Sequence, residues 1–300
     1  MAEKMNYQSN PFGRGLRKNK SHTIAVAVVI PEIANNFFAL AMDGIQMITD
    51  QKGYHVLTYF THEDFKNGES TIKHLQGGRV DSVLVSLCGD PVSLKHLAEL
   101  QHTGVPVVFF DRIAEIKECP AVTTDDYKSG LKATAHLILG GCKKIACLCL
   151  AGFLSTTQKR MQGYKAALKR YAIPFDSKLV IECSNNNAAN PALLKKFFTK
   201  KNRPDGIFAS VEKLAIPTYY VCNEIKLKIP QQLKAVSFSN LRTASLLSPA
   251  LTTITQPAFK VGREAAQLLF RLIEKKRELN GNEKIVLQSS LIQRKSSAGR

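Results

Sequence analysis

Tryptophan is absent from the 300 residues, and acidic side chains are scarce beside basic ones: 24 Asp and Glu against 42 Lys and Arg, a formal net charge of +18. The first absence removes the largest aromatic platform on which a ring can stack. Catalytic signatures are missing too. There is no Gly-x-Ser-x-Gly elbow, no His-Glu-x-x-His zinc motif, no Gly-x-x-x-x-Gly-Lys-Ser/Thr phosphate loop and no Gly-x-Gly-x-x-Gly turn after a strand. The seven histidines share no ligand spacing, and His62-Glu63-Asp64 reads as a solvated loop. The seven cysteines contain no Cys-x-x-Cys pair. Cys147 and Cys149 lie two apart in an apolar run, so they share a strand face and read as buried free thiols. An enzyme, a bound metal and a cofactor are therefore not expected. No apolar run approaches the ~18 residues of a bilayer span, and no secretory segment is expected at the start. A reducing cytoplasm is the expected compartment, with no membrane partner.

What is present begins with a cationic stretch. Asn10-Pro11 is a good helix start, because Asn accepts from free N–H groups and Pro fits the first turn. The helix it starts is weak: Gly13 and Gly15 each cost about 1 kcal/mol relative to Ala, and so short a segment does not hold helix alone in water. Arg14, Arg17, Lys18 and Lys20 suit an anionic surface. Leu16, stranded among them, has the character of a wedge for a DNA minor groove. A solvated basic tail is the alternative reading. Residues 1–22 hold five basic residues and one acidic, so about +14 remains on the body. Such a body attracts polyanions without setting specificity, and an anionic small ligand is compatible with it.

Beyond the tail the chain alternates strand and helix. The β-branched run to Ile30 is that of a strand buried on both faces. Asn35 or Asn36 can cap the helix that follows. Strands are expected near residues 54–60, 80–87 and 105–110, with helices between them and a further helix over 127–139. The rhythm then restarts, with strands near 144–150, 178–182, 206–209 and 234–238, a last helix over 257–277 and a final strand over 284–292. Pro217 should kink its helix or lie near its start. This is α/β alternation in two similar halves. In open α/β sheets ligands lie beyond the carboxyl ends of strands. Candidates there are Asn36, Phe37 and Phe38, then Cys88, then the Asp111-Arg112 pair. Phe37 and Phe38 either stack on a ligand ring or pack in the core. Asp125, at the start of the 127–139 helix, reads as its N-cap.

Several of these stretches resemble the LacI/GalR (lactose-repressor) family of transcription regulators. Residues 6–29, NYQSNPFGRGLRKNKSHTIAVAVV, are similar to that family's junction between DNA-binding headpiece and core. Asp111-Arg112, Thr123-Thr124-Asp125-Asp126-Tyr127, Arg160-Met161-Gln162-Gly163-Tyr164, Pro249 to Pro257 (PALTTITQP) and Arg294-Lys295-Ser296 resemble further family motifs. The resemblance covers essentially the whole chain, except that most of the helix-turn-helix headpiece has no counterpart in it.

The resemblance implies two doubly wound parallel-sheet subdomains with three crossovers, periplasmic-binding-protein-like, type I. It divides the chain into a headpiece and hinge remnant (1–21), an N-terminal subdomain (22–142 plus 254–280) and a C-terminal subdomain (143–253 plus 281–300). The crossovers then fall near Cys142, Thr253 and Asn280. Asn10, Arg14, Leu16, Arg17 and Lys18 become hinge residues for operator DNA. Arg160 becomes the effector-binding arginine, its planar fork suited to carboxylate, phosphate or vicinal hydroxyls. Glu212, Ser239 and Gln256 join the effector site.

Two departures stand out. Where the family commonly has Asn-Asp this chain has Val211-Glu212, and where it has Gly-Phe-Asp this chain has Ser237-Phe238-Ser239. Glu212 keeps the charge with longer reach, while Ser239 loses it. The function implied is a dimeric, effector-controlled transcriptional regulator, with a less secure fit to a standard pentose or hexose pose. A stand-alone small-molecule (sugar) binding protein of the same fold without DNA-binding activity is the alternative.

Overall fold

The computed structural model describes residues 25–75, 80–88, 95–113, 120–150, 155–185, 188–274 and 283–298. Two six-stranded sheets form, each covered by helices on both faces. The first contains β1 (Ala25–Ile30), β2 (His55–Phe60), β3 (Ser82–Val85), β4 (Val107–Phe110), β5 (Ala121–Thr124) and β11 (Lys284–Leu287), in the order β11-β5-β4-β3-β1-β2. All its pairings are parallel. The second contains β6 (Ile145–Leu150), β7 (Val180–Cys183), β8 (Gly206–Ala209), β9 (Lys234–Phe238), β10 (Thr252–Thr255) and β12 (Ser290–Ile292), in the order β12-β10-β9-β8-β6-β7. It is parallel except for β12, which runs antiparallel to β10.

β1 shows why its sequence is apolar throughout. Val26, Val28 and Ile30 pack under α1 (Asn36–Lys52) and α8 (Ala258–Glu274), whereas Ala25, Ala27 and Val29 pack under α2 (Phe65–Leu75) and α3 (Lys95–His102). A strand buried on both faces has no position for a polar side chain. Asn35, not Asn36, caps α1: its side chain accepts from the Phe37 N–H at 2.9 Å. In the second lobe, α6 (Asn190–Phe198) and α7 (Ala215–Glu224) cover one face of the sheet, with Leu194, Phe198 and Val221 against Ala146 and Leu148. Pro217 lies in the first turn of α7, where its missing N–H costs nothing.

The three crossovers differ in position from those expected. The helix α4 (Asp126–Leu139) follows a strand of the first sheet but packs on the second, with Ala133 and Leu137 against Ile145, Phe208 and Val236. The first crossover is therefore at Asp125 and not near Cys142. β10 belongs to the second sheet and α8 packs on the first, so the second crossover is at Gln256-Pro257 rather than Thr253. The expected strand over 284–292 is two strands in different sheets, which puts the third crossover at Gln288-Ser289 rather than Asn280. The first lobe thus comprises residues 25–124 and 257–288, and the second 126–255 and 289–298. Each crossover is tied to another. Gln256 Nε2 donates to Thr124 Oγ1 at 3.0 Å, and the Ser289 N–H donates to Asp125 Oδ1 at 2.7 Å. Asp125 makes no side-chain cap to its own helix; its carboxylate joins the first crossover to the third instead.

Among the described residues, each lobe has a helix pair whose backbones touch at glycines. α1 meets α8 at Gly44 and Gly262, and α4 meets α5 (Ser155–Arg170) at Gly130 and Gly163. A Cβ on Gly262 would lie 1.9 Å from the Ala41 carbonyl oxygen, and one on Gly163 would lie 2.1 Å from that of Tyr127. Among the described residues no helix is long and apolar enough to cross a membrane, and six cysteines are buried free thiols. Gly262→Ala is expected to lower unfolding free energy by about 1–3 kcal/mol, the usual cost of overpacking. Urea denaturation measures it; an unchanged midpoint would show that the helices can separate freely.

Candidate functional site

Both sheets turn their strand carboxyl ends toward one cleft between the lobes. Asn35, Phe37 and Phe38 reach it after β1, Glu63 after β2, and Asp111 and Arg112 after β4. From the second lobe come Thr156 and Arg160 of α5, Glu212 after β8, Ser239 and Asn240 after β9, and Gln256 at the second crossover. The cleft leaves about 50 Å³ of free space. Small-molecule pockets usually hold roughly 300 Å³ or more; the space continues into a wider groove between the lobes of about 610 Å³, which shares Glu32, Asn35, Glu212 and Lys213 with the inner part and adds Ile216 and Tyr220.

Arg160 is the most constrained cation. Its Nε donates to Asp126 Oδ1 at 2.7 Å and its Nη1 to the Ser210 carbonyl at 2.8 Å. The guanidinium carbon lies over the Phe238 ring, 3.4 Å from its centroid. This placement follows from the glycine contact: a Cβ on Gly130 would lie 2.2 Å from the Arg160 carbonyl oxygen. Close approach of α4 and α5 therefore sets Arg160 beside Asp126, the first residue of α4. Burial pushes the Asp126 carboxyl up to about 6, with the Arg160 charge opposing the rise.

Arg112 is held differently. Its Nη1 donates to both oxygens of Glu63, at 2.9 and 2.7 Å, and its guanidinium is 5.7 Å from the Phe38 ring centroid. His62, Glu63 and Asp111 adopt φ of 54°, 58° and 59°, a left-handed backbone that costs a non-glycine residue about 1–3 kcal/mol. That strain turns the two carboxylates into the cleft. Asp111 accepts from Gln256 Nε2 at 3.3 Å. Its carboxyl is raised by burial, against the pull of Arg112 and Arg160.

Glu212 closes the cleft from the opposite side. Oε2 accepts from Ser239 Oγ at 2.8 Å and from the Asn240 N–H at 2.7 Å, while Oε1 accepts from Asn36 Nδ2 of the other lobe at 2.6 Å. Lys213 and Glu32 add a second inter-lobe contact at 3.6 Å. The longer side chain at 212 and the hydroxyl at 239 thus satisfy each other.

Asp111, Arg112, Arg160, Glu212, Ser239 and Gln256 converge on the cleft with Phe37 and Phe38, and Asn36 bonds across its mouth. The two phenylalanines both line the cleft and belong to the first-lobe core, with ring centroids 5.3 Å apart. Cys88 does not line this cleft. Its thiol donates to the Asp64 carbonyl at 3.3 Å inside a separate apolar pocket under α2, with Phe65, Ile72, Val85 and Leu97. A strand-end position alone did not aim that side chain at the cleft. Glu63 corrects the reading of His62-Glu63-Asp64 as a solvated loop: it lies at a strand end like the other site residues, and that position was the available signal. Glu32, Lys213 and Asn240 share that strand-end signal, whereas Thr156, in the first turn of α5, does not. The hinge residues Asn10, Arg14, Leu16, Arg17 and Lys18 lie outside the described residues. Among the described residues no cluster of three His, Cys, Asp or Glu side chains could hold a metal.

The raised Asp126 carboxyl has a consequence for stability. Its folded-state value, about 6, exceeds the ordinary 3.8, so the folded chain keeps a proton that the unfolded chain has lost. That contribution to stability is fully present below pH ~4 and is lost as pH rises through ~6. Asp126→Asn is expected to flatten this part of the pH–stability profile, read from urea midpoints between pH ~4 and ~7. An unchanged profile would assign the titration to another group.

The model for periplasmic binding proteins and the sugar binding domain of the LacI family matches residues 23–295. Catabolite control protein A of Priestia megaterium is 27% identical over 280 residues, spanning 91% of this chain and 81% of that protein. The HTH-type transcriptional repressor PurR of Vibrio vulnificus is 27% identical over 277 residues, with the same coverage of 91% and 81%. A LacI family transcriptional regulator from Enterococcus faecium, solved with bound ribose, superposes with a TM-score of 0.81 at 25% identity, covering 92% of this chain and 99% of that one. With a two-lobed fold, a cleft at the strand ends and a family match from residue 23 to 295, this chain belongs to the LacI family of periplasmic-binding-protein-like regulators.

Proposed function

We propose that this chain is the core of a sequence-specific DNA-binding transcriptional repressor, cytoplasmic and homodimeric, controlled by a small-molecule effector. The effector binds between the lobes, and its binding alters operator affinity. The observation that carries this reading is the cleft itself, where Arg160, Asp111, Glu212 and Gln256 from both lobes meet around aromatic faces. The names of its relatives support it: PurR is a transcriptional repressor, and the Enterococcus faecium regulator holds ribose.

The charge pattern narrows the effector class. The cationic side chains lining the cleft are each close to a carboxylate: Arg112 to Glu63, Arg160 to Asp126 and Lys213 to Glu32. Asp111, whose Oδ2 is 3.8 Å from Arg112 Nε, and Glu212 supply further carboxylate oxygens. Such a site favours a neutral ligand rich in hydroxyl donors, a sugar or related metabolite, over an anionic one. Ligand hydroxyls compete for the Glu212 oxygen that accepts from Asn36. Control of DNA binding then requires only that the ligand prefer one arrangement of the lobes over the other.

A panel of neutral pentoses, hexoses and nucleosides and their phosphorylated forms, read by thermal melting, tests this. Saturation to about 100 times Kd stabilises a protein by about 3 kcal/mol, so a neutral member should raise the melting temperature and its phosphorylated form should not. Response to phosphorylated forms alone would overturn the effector class. Arg160→Lys keeps charge beside Asp126 but loses the planar fork; it should reduce the melting shift by more than half. An undiminished shift would remove Arg160 from the site. Glu63→Gln releases Arg112 and should permit stabilisation by an anionic sugar that leaves the parent chain unaffected. Continued indifference to every anion would show that Glu63 does not set charge selection.

A further inference from the structure

The positive charge of the body is not evenly shared. Residues 126–255 and 289–298, the second lobe, contain 22 Lys and Arg against 6 Asp and Glu, whereas residues 25–124 and 257–288, the first lobe, contain 14 against 16. Because strand carboxyl ends face the cleft, strand starts lie at the two outer poles. At the outer pole of the second lobe, the loops leading from a helix into β6, β8 and β9 each have an excess of basic residues, while the loop into β7 balances Lys178 with Asp176. Lys143 and Lys144 precede β6, and Lys178 precedes β7. Lys200, Lys201 and Arg203 precede β8, and Lys226 and Lys228 precede β9.

The loops into β6, β8 and β9 form one surface. Lys144 Nζ donates to the Asn202 carbonyl at 2.6 Å, Arg203 Nη1 to the Gln232 carbonyl at 2.8 Å, and the Lys228 N–H to Gln232 Oε1 at 2.9 Å. The carboxylates in the four loops serve the backbone: Asp205 accepts from the Lys143 and Lys144 N–H groups, and Asp176 from that of Lys178. Most of the lysines are exposed. Helix carboxyl termini do favour cations, by about 0.3–1 kcal/mol each. The first lobe has the same architecture and the same kind of helix ends, however, yet carries no positive excess. The dipole therefore does not account for the difference.

We infer that this pole is a second, sequence-independent contact for the phosphate backbone of double-stranded DNA. The inference rests on the reading of the chain as a DNA-bound regulator, which places duplex in its vicinity. The N-terminal segment enters β1 at the outer pole of the first lobe, so the basic pole faces away from any duplex that segment holds. It is positioned for a separate stretch of DNA. Fixed cations that neutralise phosphates release counterions, giving salt-dependent affinity without base reading.

The test is binding of the full chain to a random duplex lacking any operator, followed by fluorescence anisotropy from about 50 to 200 mM NaCl. The variant K143E/K200E/K201E/K228E should bind at least about tenfold more weakly at the low-salt end, with a log–log slope shallower by about 0.9 for each phosphate that is no longer neutralised. K143R/K200R/K201R/K228R should bind like the parent. R14A/R17A/K18A should weaken binding independently, its effect adding to that of the pole variant. Wild-type affinity and slope in the Glu variant would overturn the inference. So would weakened binding only to vesicles rich in phosphatidylserine, which would identify a membrane surface as the partner. Matched melting temperatures check folding, and K143Q/K200Q/K201Q/K228Q replaces the Glu variant if it unfolds. Sugar-induced melting shifts in the pole variants report separately on the cleft, so failure of the pole and failure of the effector reading are distinguishable.

Discussion

A buried guanidinium must be neutralised, and the way Arg160 meets that demand organises the second lobe. Leaving such a charge unpaired would cost several kcal/mol. Asp126 supplies the opposite charge, Ser210 a carbonyl and Phe238 a flat face. None of these is close to Arg160 in sequence. They meet because α4 and α5 approach until Gly130 and Gly163 touch the partner backbone. That approach also requires α4 to leave the lobe of the strand before it, so the first crossover and the ion pair belong to one arrangement.

The cleft repeats this pairing of charges. Arg112 pairs with Glu63, and Glu212 is satisfied by Ser239, Asn240 and Asn36. Two substitutions relative to the family pattern, Glu for Asp at 212 and Ser for Asp at 239, make sense together. A second carboxylate at 239 would repel the glutamate that now accepts from the hydroxyl. Asn36 and Glu32 carry these contacts across to the first lobe, so the same groups that line the site also hold it narrow. Gln256 adds a direct route from the cleft to the crossovers, donating to Asp111 and Thr124 alike. A ligand that displaces Gln256 from Asp111 acts on a residue that also braces the connection between lobes.

Much of this was legible in the chain. Buried β-branched runs and helical spacing locate most strands and helices, although β5 and β10 are not expected from them; strand-end positions identify Phe37 and Asp111, while Glu212 and Ser239 come from the family resemblance. The local pattern failed at particular residues. Cys88 follows a strand but lies beneath α2. Glu63, in a charged tripeptide typical of a solvated loop, enters the cleft through a left-handed backbone. Asp125 has the identity of an N-cap, yet its carboxylate accepts from Ser289, 164 residues away.

By itself the sequence determined an α/β chain of two halves, the apolar faces of its elements and the candidates at its strand ends. These depend on neighbours two to four residues apart, where periodicity and capping operate. Only the tertiary structure decided which sheet each helix and strand joins, where the chain crosses between lobes, and which carboxylate pairs with which guanidinium. Those outcomes depend on contacts between residues far apart in the chain, and no local pattern carries the distances involved.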